Sequence, residues 1–431
     1  MRYHCVDSGS AGYGIYFPDS MKLIRGNKST LDLLDKIVGK YTYEELGEDG
    51  GSISYENYEN FRTMLGEGIT HELPPRDSKH LDELIIHVSN DCNMRCLYCY
   101  GQGGCYNKKR ELMDEGTVIE TLDKMYEIYP NIDLINFFGG EPTLNLKVIR
   151  TACNYVRLKD KKTILGMVSN GTCASQELID IIKEFDFKIT FSVDMQPMQD
   201  VLRPTVNGKS SYETVLKNFK HLREYTCEPS GIEVTYTEMH RKNGVTPANL
   251  IKAVREVFGN TTMIFNPVSS CDSRFDVKDL SCFGESVDDL KNEPDIYETT
   301  PFIWSVLQRL TEKKPKYHFC SSGFGKTAIS VGGDIYPCQA FLGDENYRFG
   351  NMKEPIEVLR AKVLEKSDEM YKCNKMIEGQ CKDCYLNTFC HRCISNNKMH
   401  TLDVGKSPEN LCDMQKTVFD KVIRYKIMDM V

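Results

Sequence analysis

From residue 84 to residue 268 the chain alternates short, densely apolar runs with longer amphipathic ones. Leu84–Val88, Leu134–Phe138, Ile164–Ser169, Lys188–Val193, Ile232–Tyr236 and Met263–Val268 read as buried strands. Between them, apolar residues recur at helical spacing over Thr117–Tyr129, Leu146–Leu158, Gln176–Phe185, Tyr212–Glu224 and Pro247–Phe258. Asp114, and Thr246 ahead of Pro247, are helix-start signals. Strands alternating with helices of this length predict a parallel sheet with right-handed crossovers. Six such units make an α/β fold, a partial (β/α)6 barrel. Parallel barrels carry their chemistry at the carboxyl ends of the strands. Those ends here are the loop Cys92–Cys99, the turn Gly139-Gly140-Glu141-Pro142, Asn170 and Asp194.

The first 80 residues follow another pattern. Gly14–Ile24 predicts a short hairpin, and Ser29–Val38 a helix capped by Ser29 or Thr30. Gly39–Leu46 reads as a turn and a capped second helix, and Pro74-Pro75 with the polar stretch to His80 as a linker.

Composition narrows the class. A chain of 431 residues suggests two or three domains. A net charge of −8 argues against a general nucleic-acid binder. No apolar run reaches the length of a membrane span. The N-terminus lacks a basic-then-apolar signal pattern, so a cytoplasmic location is expected, with no membrane partner. Eighteen cysteines in a reducing compartment point to metal rather than disulfides.

The cysteines supply the chemistry. Cys92-Asn-Met-Arg-Cys96-Leu-Tyr-Cys99 has the spacing C-x3-C-x2-C. Three such thiolates can hold three irons of a [4Fe–4S] cube and leave the fourth without a protein ligand. A zinc knuckle would want a second Cys/His pair nearby, and none follows. With Gly139-Gly140-Glu141-Pro142 ending the next strand, the set resembles the radical S-adenosylmethionine (SAM) superfamily. The resemblance implies that SAM chelates the open iron and is cleaved by one electron to methionine and a 5′-deoxyadenosyl radical. That radical takes hydrogen from a substrate carbon, while the protein orients the cofactors and excludes water. An open cluster survives oxygen poorly, so an anaerobic organism is expected.

A second constellation follows Pro301. Cys320 precedes Gly333-x4-Cys338, then Cys381-x2-Cys384-x5-Cys390-x2-Cys393, and finally Cys412. This resembles the SPASM extension of radical SAM enzymes that act on peptides, which carries two auxiliary [4Fe–4S] clusters, three in all with the SAM cluster. The resemblance implies Cys381, Cys384, Cys390 and Cys412 on the outer cluster and Cys320, Cys338 and Cys393 on the inner one. Cys373 is the spare candidate for a fourth inner ligand; without it the inner cluster could bind a substrate thiolate. The spacing after Cys390 is x2 where the family has x3, a form shared with enzymes acting on cysteine-rich peptides. A zinc ribbon is the alternative. Gly332–Cys338 reads as a hairpin turn delivering a strand that ends in the ligand. Cys5, Cys105, Cys153, Cys173, Cys227, Cys271 and Cys282 have no ligand spacing and are expected to be buried free thiols, Cys105 being the one to watch.

Around SAM, the resemblance implies that Gly139 and Gly140 let the backbone approach the methionyl amino group and that Glu141 accepts from it. Ser169, Asn170, Ser192 and Asp194 match strand-end positions that would bond the ribose or the carboxylate. Arg203 matches an arginine that neutralises the carboxylate, and Tyr98 would pack beside the adenine. As isolated residues the polar ones are more often caps or turns, and the alternatives are a surface arginine for Arg203 and core for Tyr98.

The strand pair and helices over 1–80 resemble the winged-helix-like module that recognises leader peptides in peptide-modifying enzymes, a structural N-terminal cap being the alternative. The resemblances above imply a radical SAM partial barrel over 81–300 and a cysteine-rich auxiliary-cluster extension over 301–431. The expected activity is thioether formation between a cysteine sulfur and a carbon of a ribosomally made precursor peptide bound through its leader. A flavodoxin or ferredoxin would supply electrons. A carbon–carbon crosslink is the close variant. An anaerobic sulfatase maturase is less favoured, because relatives of that kind carry a basic aspartate where this chain has Gln339, an amide that cannot take a proton. A silent iron–sulfur scaffold is the reading from outside the enzyme class.

Overall fold

The computed structural model describes residues 2–38, 54–66, 72–270, 272–376 and 379–430. By compactness the chain forms two units, each discontinuous in sequence. One comprises Met1–Pro74, Asp279–Cys320 and Asn374–Val431; the other comprises Pro75–Lys278 and Ser321–Cys373. The division at Pro74/Pro75 falls where the prolines were expected to mark a linker.

In the first unit, β1 (His4–Asp7), β2 (Tyr13–Phe17) and β3 (Lys22–Gly26) form an antiparallel sheet in that order. The hairpin β2–β3 was legible, and β1 was not. Ile15 and Phe17 of β2 bury against Leu34 and Ile37 of the helix Lys28–Val38 and against Tyr58 of the helix Tyr55–Gly66. The cap of the first helix corrects the expectation. Asn27 Oδ1 accepts from Thr30 N at 3.0 Å, and Thr30 Oγ1 accepts from Asn27 N at 3.2 Å. Asn27 is thus the capping residue and Thr30 its reciprocal partner, because the helix begins one residue earlier than its apolar spacing suggests. The expected second helix at Gly39–Leu46 lies outside the described residues. The long helix Glu409–Met428 packs on β1, β2 and the helix Ser281–Leu290.

The second unit is the expected parallel sheet. β4 (His80–Ser89), β5 (Asn131–Gly139), β6 (Ile164–Ser169), β7 (Lys188–Ser192), β8 (Gly231–Tyr236) and β9 (Thr262–Pro267) pair in sequence order, all parallel. Helices Glu115–Ile128, Leu146–Leu158, Gln176–Phe185, Tyr212–Tyr225 and Pro247–Phe258 connect them, within two residues of the predicted bounds. Asp114 accepts from Thr117 N and Thr246 from Asn249 N, as their positions foretold. The sheet then continues beyond the six strands. β10 (Lys326–Ile329) lies parallel to β4, and β11 (Asp334–Tyr336) and β12 (Gly350–Asn351) follow antiparallel, giving the order β12-β11-β10-β4-β5-β6-β7-β8-β9. The predicted hairpin at Gly332-Gly333 is the β10–β11 turn. Among the described residues, no helix is long and apolar enough to cross a membrane.

Candidate active site

β4 ends at Ser89 and releases the cysteine loop, which returns to the strand at Met113, whose N–H donates to Val88 O at 3.0 Å. The loop is pinned by the chain after β7. Arg95 N donates to Pro204 O and Leu97 N to Leu202 O, both at 2.8 Å, and Val206 N donates to Asn93 O at 3.0 Å. Cys92, Cys96 and Cys99 are close enough that Cys96 feels the charge of the other two and Cys92 that of Cys99. Burial pushes the Cys92 thiol up to about 11 and Cys96 to about 12, although Arg203 pulls Cys96 down. The protein alone thus keeps these two thiols neutral. A bound cation is what would draw thiolates from them, the donor chemistry of an iron site.

Gly139 and Gly140 serve the protein's own backbone. Gly139 has φ of +141°, and a Cβ on it would stand 2.2 Å from Ser89 O. On Gly140 it would stand 2.1 Å from Asp91 O. Gly140 N and Glu141 N donate to Ser89 O and Asp91 O, each at 2.8 Å. The strand end is therefore sealed against the root of the cysteine loop.

Glu141 is buried, and its carboxylate joins β5 to β6. Oε1 accepts from Thr143 N at 3.1 Å, Thr143 Oγ1 at 2.7 Å and Ser169 Oγ at 2.8 Å; Oε2 accepts from Asn170 N at 2.8 Å. Burial raises its pKa and these bonds oppose the rise. The capacity left to accept from an ammonium lies on Oε2. Asn170 reaches the cysteine loop: its Nδ2 donates to Asn93 Oδ1 at 2.8 Å and lies 3.8 Å from Cys92 Sγ. Asn93 Nδ2 donates in turn to Thr172 Oγ1 at 2.9 Å. Ser169 and Asn170 are thus braces between strand ends and cysteine loop.

Tyr98, Asp194 and Arg203 form a buried triad. Tyr98 OH donates to Asp194 Oδ2 at 2.6 Å and accepts from Arg203 Nη1 at 3.2 Å; Arg203 lies 4.0 Å from Asp194 Oδ1. Arg203 is a buried cation rather than a surface arginine, and Tyr98 packs among Met198, Leu202, Val268 and Phe275. Burial works against the Arg203 charge, but Tyr98, Cys96 and Asp194 outweigh it and the guanidinium is held charged. Its Nε–H is buried with no acceptor. A buried cation with an idle donor fits a carboxylate ligand such as that of SAM. Ser192, half-buried, bonds Glu233 at 3.4 Å. Glu233 on β8 escaped the sequence analysis: it feels Arg203 and Asp194, and burial raises its pKa. One carboxylate in an otherwise strand-forming run was the available signal.

The later cysteines are distributed between the units. Cys338 follows β11 and Cys373 ends the helix Ile356–Lys372, both in the strand unit. Cys373 is exposed, its Sγ 3.5 Å from Glu369 O. Gln339, next to Cys338, has a buried Oε1 without a partner. In the other unit, Cys381, Cys384, Cys390 and Cys412 come together: burial raises the Cys381 and Cys412 thiols, and the charges of Cys390 and Cys384 raise both further. Arg392 N donates to Phe319 O at 3.1 Å, tying the chain just before Cys393 to the chain just before Cys320. Among the cysteines without ligand spacing, Cys153 and Cys282 are buried, as expected. Cys227 is exposed and Cys5, Cys105 and Cys173 are half-buried, a correction that follows from their places in loops or at a sheet edge; Cys271 lies outside the described residues.

Comparison with known proteins agrees with this geometry. Residues 86–256 match the radical SAM superfamily model. The chain is 25% identical to the cysteine-type anaerobic sulfatase-maturating enzyme of Clostridium novyi over 376 residues, 80% of this chain and 96% of that protein. The solved structure of native anSMEcpe with bound AdoMet covers 81% of this chain and 98% of its own at TM-score 0.65 and 17% identity. Streptococcus suis SuiB bound to precursor peptide SuiA covers 95% of this chain and 98% of its own at TM-score 0.56 and 14% identity. The chain thus carries a radical SAM domain of α/β fold, of a superfamily that uses SAM and a [4Fe–4S] cluster.

Proposed function

We propose that this protein is a cytoplasmic peptide maturase that forms thioether crosslinks, cysteine sulfur to carbon, in a ribosomally made precursor. Cys92, Cys96 and Cys99 would hold the SAM-binding cluster, Arg203 the SAM carboxylate and Glu141 Oε2 the amino group. The backbone turn at Gly139 and Gly140 would complete that end of the site. Ser169 and Asn170 brace it, and Ser192, Asp194 and Tyr98 would border the ribose and adenine. When bound, SAM and the reduced cluster supply a radical that removes hydrogen from carbon. Cys381, Cys384, Cys390 and Cys412 would hold an outer auxiliary cluster, and Cys320, Cys338 and Cys393 an inner one.

One observation carries the peptide reading. A likeness covering 95% of the chain must include most of residues 1–74, and it is to a protein whose structure holds a precursor peptide. A three-stranded sheet whose outer strand β3 has, among the described residues, a single partner strand can accept an extended peptide by strand addition. The sulfatase-maturase reading draws support from the Clostridium novyi relative. Against it stands Gln339, which supplies no base.

The deciding experiment incubates reconstituted protein anaerobically with SAM, reductant and a small cysteine-rich peptide, sought among the reading frames beside the gene. Loss of two hydrogens per event together with loss of alkylatable thiols supports thioether formation. Loss of two hydrogens with every thiol still alkylatable would replace it with a carbon–carbon bond. A hydrazide-reactive aldehyde at a cysteine or serine would establish the sulfatase-maturase reading instead.

A further inference from the structure

Around the four cysteines Cys381, Cys384, Cys390 and Cys412 lie two buried cations, Lys375 and Arg392, and the half-buried Arg309, and among the described residues none of the three makes an ion pair. Lys375 is 6% exposed; its Nζ donates to Cys390 O and lies 5.5 Å from the Phe319 ring centroid. Burial pulls its pKa down to about 8, and Cys390, Cys381 and Cys384 oppose the fall. Arg392 is 8% exposed, donates to Leu411 O, beside Cys412, and lowers the Cys412 thiol; its Nε is buried without an acceptor. Arg309, on the helix Pro301–Glu312, feels the charge of Cys390, and its Nη1 is likewise buried and unpartnered. The nearby acids lie outside this shell. Asp383 is exposed, Asp413 is 65% exposed and pairs with Lys416 at 3.7 Å, and Glu312 bonds Gln308.

Taking cationic groups out of water without carboxylates beside them is costly unless another anion is there to meet them. Four thiolates round an iron–sulfur cube are such an anion, and the reduced cube carries one more negative charge than the oxidised one. Buried positive charge therefore favours the reduced state. We propose that Lys375, Arg309 and Arg392 raise the reduction potential of the outer auxiliary cluster, making it the acceptor for the electron released when a crosslink forms. The inference rests on the reading of those four cysteines as cluster ligands. In the balanced step, the acceptor C–H and the cysteine S–H break and a C–S bond forms. SAM cleavage takes up one hydrogen atom, the thiol proton leaves to solvent and the remaining electron reduces the cluster.

The test uses the full chain with Cys92→Ala, Cys96→Ala and Cys99→Ala, so that auxiliary iron alone is present. It is reconstituted anaerobically and titrated redox-metrically, followed by low-temperature EPR. Lys375→Gln should shift the oxidised-to-reduced ratio of one cluster at least tenfold toward oxidised at fixed potential, about 59 mV for one electron. Lys375→Arg should restore it. Should Lys375→Gln take up no iron, Arg309→Gln decides, with the same direction expected. A neutral variant with full iron and sulfide and an unchanged or higher potential overturns the proposal, as does a parent protein that binds no auxiliary iron. The titration contains neither peptide nor SAM, so failure of the thioether reading would leave its result standing.

Discussion

Alanine at Gly140 places a methyl group in the seal between β5 and the cysteine loop. The new Cβ would lie 2.1 Å from Asp91 O, 2.5 Å from Asp91 C and 3.0 Å from Gly104 Cα. All three are backbone atoms, so no rotamer change relieves the overlap. The loop must retreat by about 1 Å, a misplacement of the size that costs on the order of 10²-fold in a positioned reaction. Asp91 adjoins Cys92, and the bond from Glu141 N to Asp91 O, 2.8 Å long, is strained or lost with it. Crowding of this kind destabilises by about 1–3 kcal/mol, which leaves the chain folded. The assay is anaerobic formation of 5′-deoxyadenosine from SAM and reductant, beside far-UV circular dichroism and iron content. Gly140→Ala should keep its secondary structure and lose about 100-fold in rate. Gly332→Ala, where the nearest atom to a new Cβ is Ser330 Oγ at 4.0 Å, should behave as wild type. A Gly140→Ala protein within about threefold of wild type would refute the claim that this contact sets the cysteine geometry.

Three further outcomes are expected. Glu141→Gln turns an amide N–H toward at least one of the donors now served by the carboxylate, costing about 1–3 kcal/mol in chemical denaturation; a change under about 0.5 kcal/mol would mean the brace is dispensable. Arg203→Met leaves Asp194 buried without its cation, and unfolding free energy should fall by about 3–5 kcal/mol, more than for Arg203→Met combined with Asp194→Asn. His87 is fully buried between Tyr106 and Phe138 with both ring nitrogens unpartnered, and burial lowers its pKa to about 3. Its folded pKa is depressed, so its neutral form contributes stability above pH 6.5 that drains away as pH falls toward 3. His87→Phe should flatten that loss by about 1.4 kcal/mol per pH unit below 6.5, read from urea midpoints at pH 7.5 and 5.5; equal slopes would show that His87 does not titrate with unfolding.

The alternation of apolar runs and amphipathic stretches determined the six parallel strands and their helices, because each element's period and capping residues are local properties. Asp114 and Thr246 do their capping within three residues of themselves. The cysteine spacing likewise determined which thiols belong to one site, since C-x3-C-x2-C is a short loop wherever it is placed. What lay outside sequence reach depended on pairs far apart in the chain. β10 joins β4 across some 240 residues, so the sheet gains three strands that no local pattern announces. The bonds that also make Glu141 a brace appear only once Ser169 and Asn170 arrive from β6. Arg203 matches a carboxylate-binding arginine in sequence, but that it is buried rather than a surface charge is decided only when Tyr98 and Asp194 enclose it, and Glu233 reads as one polar residue in a strand until β8 turns it toward them. The cations around Cys390 come from segments near residues 309, 375 and 392. Local pattern decides secondary structure and motif; the burial and company of a charge, which decide what it does, exist only after the chain has folded.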